Sequence, residues 1–283
     1  MLSLHTNNAS LSAQNSIAKT QSQLSTSMTR LSTGYRINSA MDDAAGLQIA
    51  TRLKAQTSGM TVAMSNTQNS TSLLQTAEGA FAEVTNMLVR MKDLATQAAD
   101  VSSNTADKTA MQAEYDALGL ELANVMNNTT FGGEKLLTGG TIATSMTFQI
   151  GAAKTETMSI NLSTAMSSVA TALSSATANF AATAGGTELK TLANNAIGSL
   201  VSAIESISTV RSALGAAANR LDHVNSNLSN IATNTKAATG RIMDVDFASE
   251  SSNMTSSQML LQAGTAMLKQ SNSMSSMVMS LLQ

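Results

Sequence analysis

Residues 247–283 read FASESSNMTSSQMLLQAGTAMLKQSNSMSSMVMSLLQ, and their apolar positions decide the fold class. Phe247, Met254, Leu261, Leu268 and Leu282 stand at multiples of seven, interrupted only at Ser275. Leu260, Met267, Met274 and Leu281 repeat the spacing one position earlier, and Val278 adds to the apolar end. Two adjacent heptad rows make one narrow stripe along a helix of roughly 50 Å. The residues between the rows are mostly Ser, Asn, Gln, Thr and Ala, so this helix has nothing of its own to fold against and needs partners along its length. The other end of the chain offers one. Leu4 and Leu11 are seven apart, and Ile17, Leu24 and Leu31, with Met28 beside them, continue the spacing one position out of phase.

Composition points the same way. The 283 residues contain no proline, where about 5% is usual, and proline costs a helix interior about 3 kcal/mol. Long uninterrupted helices are permitted. Cysteine is also absent, which excludes a disulfide framework, a thiolate nucleophile and cysteine-ligated zinc. With aromatics at 2% and charged residues at 12%, a long thin seam is easier to build than a thick globular core. A net charge of -2 gives nucleic acid or an acidic membrane no electrostatic reason to bind. No stretch reaches the roughly 18 apolar residues of a membrane span. The start, MLSLHTNNASLSAQ, lacks the basic and apolar regions of a secretory signal, so ordinary signal-peptide export is not expected.

Along the chain, Gly34 ends the first helical pattern, and Asp42 or Asp43 can cap the next. Paired aspartates could also suggest acid catalysis or a metal, but no His or Glu stands where it would complete either site, and capping is the better reading. The following helix carries Leu53, Met60, Thr67, Leu74, Phe81, Leu88 and Ala95 at strict seven-residue spacing, flanked by Ala63, Ala77, Val84, Met91 and Ala98. That is a coiled-coil seam. After a Ser- and Asn-rich break over 101–107, a shorter helix with Met111, Tyr115, Leu118, Leu122 and Val125 should fold back antiparallel. The texture changes from Asn127, where glycine pairs bracket alternating Met146, Phe148, Ile150 and then Met158, Ile160, Leu162. Alternation of this kind predicts a β-hairpin. Residues 164–186 are low in complexity and read as exposed and tolerant. Heptads return as Leu200, Ile207, Leu214, Leu221 and Leu228, which should pair with the helix from Leu53 to Ala95, before a last break near Gly240. The fold class is therefore mainly α, with long coiled-coil helices from both chain ends packed side by side and a small β-hairpin region between. The expected domains are a terminal helical one over 1–42 and 241–283, a helical bundle over 43–163 and 187–240 with hairpins near 130–163, and a short variable exposed segment over 164–186.

Chemistry-bearing motifs do not appear. There is no H-E-x-x-H, no phosphate-binding loop, no nucleophile elbow and no dinucleotide fingerprint. His5 and His223 each sit alone among polar residues. The 19 methionines fall largely in the seams, as adaptable packing rather than metal ligands. No cofactor or metal is implied, and nothing argues for an enzyme.

Several stretches resemble the ends of bacterial flagellin. They are RLSTGYRINSAMDDAAGLQIATRLKAQ from Arg30, QTAEGAF from Gln75, TTFGGEKLLTGG from Thr129, RSALGAAANRLDHVNSNLSN from Arg211, GRIMDVDFASE from Gly240, and MLLQAGTAMLKQSNSMSSMVMSLLQ from Met259. The chain is similar to the compact type without large outer domains, as in lateral flagellins. It departs from the family at Gly240, where Ser is frequent, and at Ser276, where many members carry Pro. The resemblance implies an extracellular filament subunit, exported unfolded through the flagellar type III apparatus, that self-assembles through its terminal helices into a tube used as a propeller. The polymerising residues are then the stripe residues Leu4, Leu11, Ile17, Leu24, Met28 and Leu31 at one end. At the other end they are Phe247, Met254, Leu260, Leu261, Met267, Leu268, Met274, Val278, Leu281 and Leu282. Implied partners are further copies of the chain, an export chaperone, hook-junction and cap proteins, and the vertebrate Toll-like receptor for flagellin. The family's receptor motif here reads LVRMKDLATQ from Leu88, with Arg90 and Leu94, plus Glu114 on the next helix. Arg90 and Leu94 are four apart, on one helical face, and roughly 80° to 130° from the middle of the seam, which leaves them free to meet a partner. A hook–filament junction protein, with similar ends, and a coiled-coil adhesin are the competing readings. Long matches in both halves favour the filament subunit over the first, and an adhesin should carry a signal peptide or anchor.

Overall fold

The computed structural model of the chain describes residues 7–180 and 186–281, with side chains described as far as Met274. It divides into two units, Met1–Thr57 with Thr233–Gln283, and Ser58–Ala232. The chain passes from one to the other within two long helices.

In the first unit, helix α1 spans Asn8–Thr33. Asn7 starts it by accepting a hydrogen bond from the Ser10 amide at 3.1 Å. Gly34 ends it at φ 75°, with its N–H returned to the Arg30 carbonyl, a left-handed geometry that an L side chain resists. Arg30 apart, the less exposed positions of α1 run Ser10, Ala13, Ile17, Thr20, Leu24, Ser27 and Leu31, the alternating three and four of a two-stranded coiled coil. Its partner in the same unit is the last helix, Phe247–Leu281, capped by Asp246, whose carboxylate accepts from the Ala248 amide at 3.0 Å. That helix turns inward Glu250, Met254, Ser257, Leu261, Gly264, Leu268 and Ser271, again at threes and fours. Asn7 meets Ser271 at 3.2 Å and Arg30 meets Glu250 at 3.8 Å, so the pair is antiparallel. A Cβ on Gly264 would lie 2.9 Å from Ile17 Cγ1; glycine lets the two backbones close up here.

The connections of this unit are stitched by backbone bonds. The Arg36 amide donates to Met243 O at 2.6 Å and the Val245 amide to Gly34 O at 3.0 Å. The aspartates divide their work. Asp43 caps the following helix, accepting from the Gly46 amide at 2.9 Å, while Asp42 accepts from the Asn38 and Ser39 amides at 3.0 and 2.9 Å and holds the turn before it. The break expected near Gly240 lies further on. The penultimate helix runs through Gly240 to Met243, because Gly240 keeps an ordinary negative φ and the Asp244 amide still bonds back to its carbonyl at 2.8 Å.

The second unit contains most of helix α2, Ala44–Ala99, then α3, Thr105–Asn128. Two antiparallel two-stranded ribbons follow, β1 Thr130–Phe131 with β2 Glu134–Lys135, and β3 Ser145–Gln149 with β4 Thr157–Asn161. Next come α4, Ser163–Ala176, the short α5, Glu188–Thr191, and α6, Ala193–Met243; the helix Phe247–Leu281 is α7. Along α2 the inward row is Met60, Ala63, Thr67, Leu74, Ala77, Phe81, Val84, Leu88, Met91, Ala95 and Ala98, all buried. The facing row of α6 includes Ala203, Ile207, Val210, Leu214, Ala217 and Leu221, also buried. Arg211 meets Glu78 at 2.8 Å and the Asn225 amide donates to Thr67 Oγ1 at 3.0 Å, which makes this pair antiparallel too, as the heptads require. The hairpin pairs Met146 with Ile160 and Phe148 with Met158, the alternation that the sequence displays.

Two expectations are corrected. Residues 164–186 do not form one exposed stretch, since α4 occupies the first half and buries Met166, Val169, Leu173 and Ala176. Its Ala, Ser and Thr background carries apolar residues at helical spacing, and those bind it to the core. Leu94 is not off the seam, being 3% exposed. Helix α2 carries a second row, Leu73, Ala80, Met87 and Leu94, which packs in the same hydrophobic cluster as Met111, Tyr115, Leu122 and Met126 of α3. A helix flanked by two neighbours buries a face wider than one coiled-coil stripe.

Candidate functional site

Among the described residues of α1 and α7, the buried side chains are all polar: Ser27, Glu250 and Ser257. Ile17, Leu24 and Leu31 of α1, and Met254, Leu261 and Leu268 of α7, are only half-buried between the two helices. The remaining described stripe residues face outward. Leu11, Met28, Phe247, Leu260, Met267 and Met274 are all exposed, Met267 at 69%. Leu4 and Leu282 lie outside the described residues, and so do the side chains of Val278 and Leu281. The two heptad rows of α7 therefore have different fates. The row through Leu261 and Leu268 turns toward α1, and the row through Leu260, Met267 and Met274, one residue or about 100° away, does not.

Geometry explains the split. Small residues at Ser27, Ser257 and Gly264 draw α1 and α7 together along a narrow line, so longer side chains beside that line are covered on one flank only. Met259, 60% exposed, extends the apolar surface to the far side of α7, roughly 180° from the seam. It stands in neither heptad row, and only its place beside Leu260 could have marked it. On another face, a polar groove of about 430 Å³ opens beside Ser22, Thr26, Arg30, Glu250, Asn253 and Ser256. Within it Arg30 Nε is buried without a hydrogen-bond partner, although the guanidinium lies 3.8 Å from Glu250.

The second unit brings two of the three expected recognition residues together. Arg90 Nη2 and Glu114 Oε1 form an ion pair at 2.6 Å, with a second bond from Arg90 Nε at 2.8 Å, and both side chains are about half exposed, 55% and 45%. Leu94 does not join that surface, for the reason given above. Deeper in the unit, Gln112 is buried and donates to Asp116 and to Glu188, each at 2.9 Å, while its amide oxygen accepts from the Leu189 amide at 2.8 Å. Asn179 also donates to Asp116 at 3.0 Å. Tyr115 donates to the Ala176 carbonyl at 2.5 Å, and its burial, then the nearby Glu188 and Asp116 charges, push its pKa well above the usual phenol range. Every polar group here has a partner, so the cluster fastens the segment after α4 onto α3.

Among the described residues, no group of three or more His, Cys, Asp or Glu is placed to hold a metal ion, and no helix is long and apolar enough to cross a membrane. The arrangement offers surfaces.

Comparison with known proteins gives the surfaces a context. The family model described as the bacterial flagellin N-terminal helical region matches residues 4–141, and that of the bacterial flagellin C-terminal helical region matches 197–282. The chain is 32% identical to Flagellin A of Vibrio cholerae over the whole of both chains. It is 34% identical to Flagellin FlaB2 of Treponema pallidum over 98% of each. In structure it is similar to a flagellar hook-associated protein from Vibrio parahaemolyticus, with a TM-score of 0.56 and 16% identity over 72% of this chain and 100% of that one, a likeness of fold.

Proposed function

This chain belongs to the bacterial flagellin family, and from that membership we propose how it works as a structural subunit of the flagellar filament: copies join through the outward apolar rows of α1 and α7. One observation carries this reading. The terminal helix pair buries hydroxyls and a carboxylate while Leu11, Met28, Leu260, Met267 and Met274 stay exposed, an inversion of the usual partition between inside and outside. Burying a Leu or Met is worth roughly 1.5–3 kcal/mol, so five of them supply on the order of 10 kcal/mol. Association costs about 4–15 kcal/mol in lost freedom, and the surface is of the right size to offset it.

The terminal domain over 1–42 and 241–283 then acts as the polymerising part. The bundle over 43–163 and 187–240, with the segment over 164–186, folds on its own contacts. The family's role is structural, and we assign no catalytic one. In keeping with the family, the filament is extracellular, and the subunit's further partners are an export chaperone, hook-junction and cap proteins, and the vertebrate Toll-like receptor. For that receptor the proposed contact is the exposed Arg90–Glu114 edge, with Leu94 supporting it from beneath.

The test replaces Leu260 and Met267 together by Asp and compares the variant with the parent in seeded assembly, read by sedimentation and electron microscopy. Seeds should elongate with the parent and not with the variant, while thermal melting by circular dichroism is unchanged. Normal filaments from the variant would overturn the assignment of this surface.

A further inference from the structure

Among the described residues, every exposed methionine lies in one unit and every fully buried one in the other, while Met64, Met243 and Met254 are partly buried. In Ser58–Ala232, Met60, Met87, Met91, Met111, Met126, Met146, Met158 and Met166 are all buried, and Met64 packs partly buried beside Met60. The exposed methionines, Met28, Met41, Met259, Met267 and Met274, all lie in the terminal unit. Four of these five are on α1 and α7, and Met267 and Met274 stand in the outward row. A methionine thioether is soft and reactive toward peroxides, and burial shields it.

We infer that the exposed methionines of α1 and α7, Met28, Met259, Met267 and Met274, are an oxidative modification site through which peroxide disables self-association of the free subunit. The inference rests on the proposed assembly surface. The reaction needs one peroxide per methionine. The sulfur lone pair attacks one peroxide oxygen, the O–O bond breaks, the S–O bond of the sulfoxide forms, and the departing hydroxide takes up the remaining proton to leave as water. The thioether is oxidised by two electrons and the peroxide reduced by two.

The physical consequence follows from the position of these sulfurs. A sulfoxide turns a flexible apolar side chain into a polar one with a strong acceptor. At an exposed position in the monomer that acceptor is solvated and costs nothing. In a subunit interface it must find a donor or stay unpaired, and an unpaired buried acceptor is unfavourable. The side chains of the outward row of α7, Leu260, Met267 and Met274, offer it no donor. Oxidation therefore leaves the fold alone and weakens the joint. A reductase that acts on methionine sulfoxide would restore it.

The experiment treats the full-length monomer with hydrogen peroxide, maps sulfoxides by peptide mass spectrometry, and measures the critical concentration for seeded elongation before and after. Met28, Met259, Met267 and Met274 should oxidise well before the eight buried methionines, the melting curve should hold, and the critical concentration should rise by roughly tenfold or more, where each tenfold is about 1.4 kcal/mol. A second protein carries Leu at those four positions, a volume-conserving exchange that peroxide cannot attack. Its critical concentration, compared before and after treatment of that same protein, should not change. If the untreated parent does not elongate seeds at all, the assembly surface is wrong and this inference falls with it. If the untreated parent elongates and the oxidised parent does so equally well, or the leucine protein is disabled like the parent, the inference alone is overturned.

Discussion

Helix pairs α1/α7 and α2/α6 have the same heptad spacing and the same antiparallel sense, yet one is a finished core and the other is not. On α2 and α6 the heptad positions carry Phe81, Leu88, Met91, Ile207, Leu214 and Leu221, none more than 1% exposed. On α1 and α7 the equivalent positions alternate Ile17, Leu24 and Leu261 with Thr20, Ser27, Ser257 and Gly264. Spacing decides which faces meet, and side-chain volume decides whether the meeting is complete within one molecule. A further difference is company. α2 has a second row against the core that includes α3, whereas among the described residues α1 and α7 have chiefly each other.

The sharpest way to break this comparison is to truncate equivalent positions in the two seams. Phe81→Ala should cost about 3–5 kcal/mol and Leu214→Ala about 2–5 kcal/mol, measured by urea unfolding of the monomer. Leu261→Ala in α7 should cost the monomer about 1 kcal/mol or less, since only part of its surface is covered, but should raise the critical concentration for elongation. Equal monomer losses at Leu214 and Leu261 would mean that both seams are finished.

A second contrast lies within the central unit. Leu94→Ala removes a buried side chain and should lower stability by about 2–4 kcal/mol, whereas Arg90→Ala breaks a half-exposed ion pair worth roughly 0–1 kcal/mol. In a cell-based receptor assay on monomers, Arg90→Ala should reduce signalling while its melting curve stays in place. Leu94→Ala should reduce both together. A Leu94→Ala protein of normal stability would show that the second row of α2 is not part of the core.

The smallest effect concerns two exposed carboxylates, one in each unit. Amides of Ser39 and then Asn38 hold the Asp42 pKa below the usual carboxylate range, and the Ser102 hydroxyl does the same for Asp100. A pKa lower in the folded chain than in the unfolded one gives a contribution that is present above the ordinary carboxylate value. It is lost as pH falls through the depressed folded value. Exchange of the Asn38 and Ser39 amides, corrected for its intrinsic pH dependence, should accelerate in that acid range, and Asp42→Asn should show the fast exchange at neutral pH. Asp100→Asn should loosen only the turn after α2. Unchanged exchange at Asn38 and Ser39 in Asp42→Asn would remove the carboxylate from any role in that turn.

Much of this architecture is visible in the sequence because long helices repeat. The α2/α6 seam, the Gly34 end of α1, a cap at one of the two aspartates and a hairpin holding Met146 and Ile160 each depend on local chemistry or strict spacing, and each stands where those predict; the choice of Asp43 and the register of the hairpin come from the structure. What depends on a third neighbour was not legible. Leu94 looks free when α2 is given one partner, and becomes core once α3 lies alongside. Likewise α4 hides Val169 and Leu173 in a run of Ala, Ser and Thr whose composition resembles a linker. The contacts of Gln112 with Asp116 and Glu188 join residues up to 76 positions apart, and no short-range pattern records them. At the proposed assembly surface, both heptad rows of α7 were evident, but which one turns to α1 was decided by the small residues Ser257 and Gly264 between them.

The difference between the two helix pairs is tested most directly by hydrogen exchange with mass spectrometry on the monomer and on the filament. Amides of α2, α3 and α6 within the central unit should be strongly protected in both. Those of α1 and α7 should exchange much faster in the monomer and become protected by at least about a hundredfold on assembly, since burial of the outward rows stabilises the pair by several kcal/mol. Protection of α1 and α7 in the monomer equal to that of α2 and α6, or no gain in the filament, would contradict the claim that the terminal helices are a seam completed by other copies.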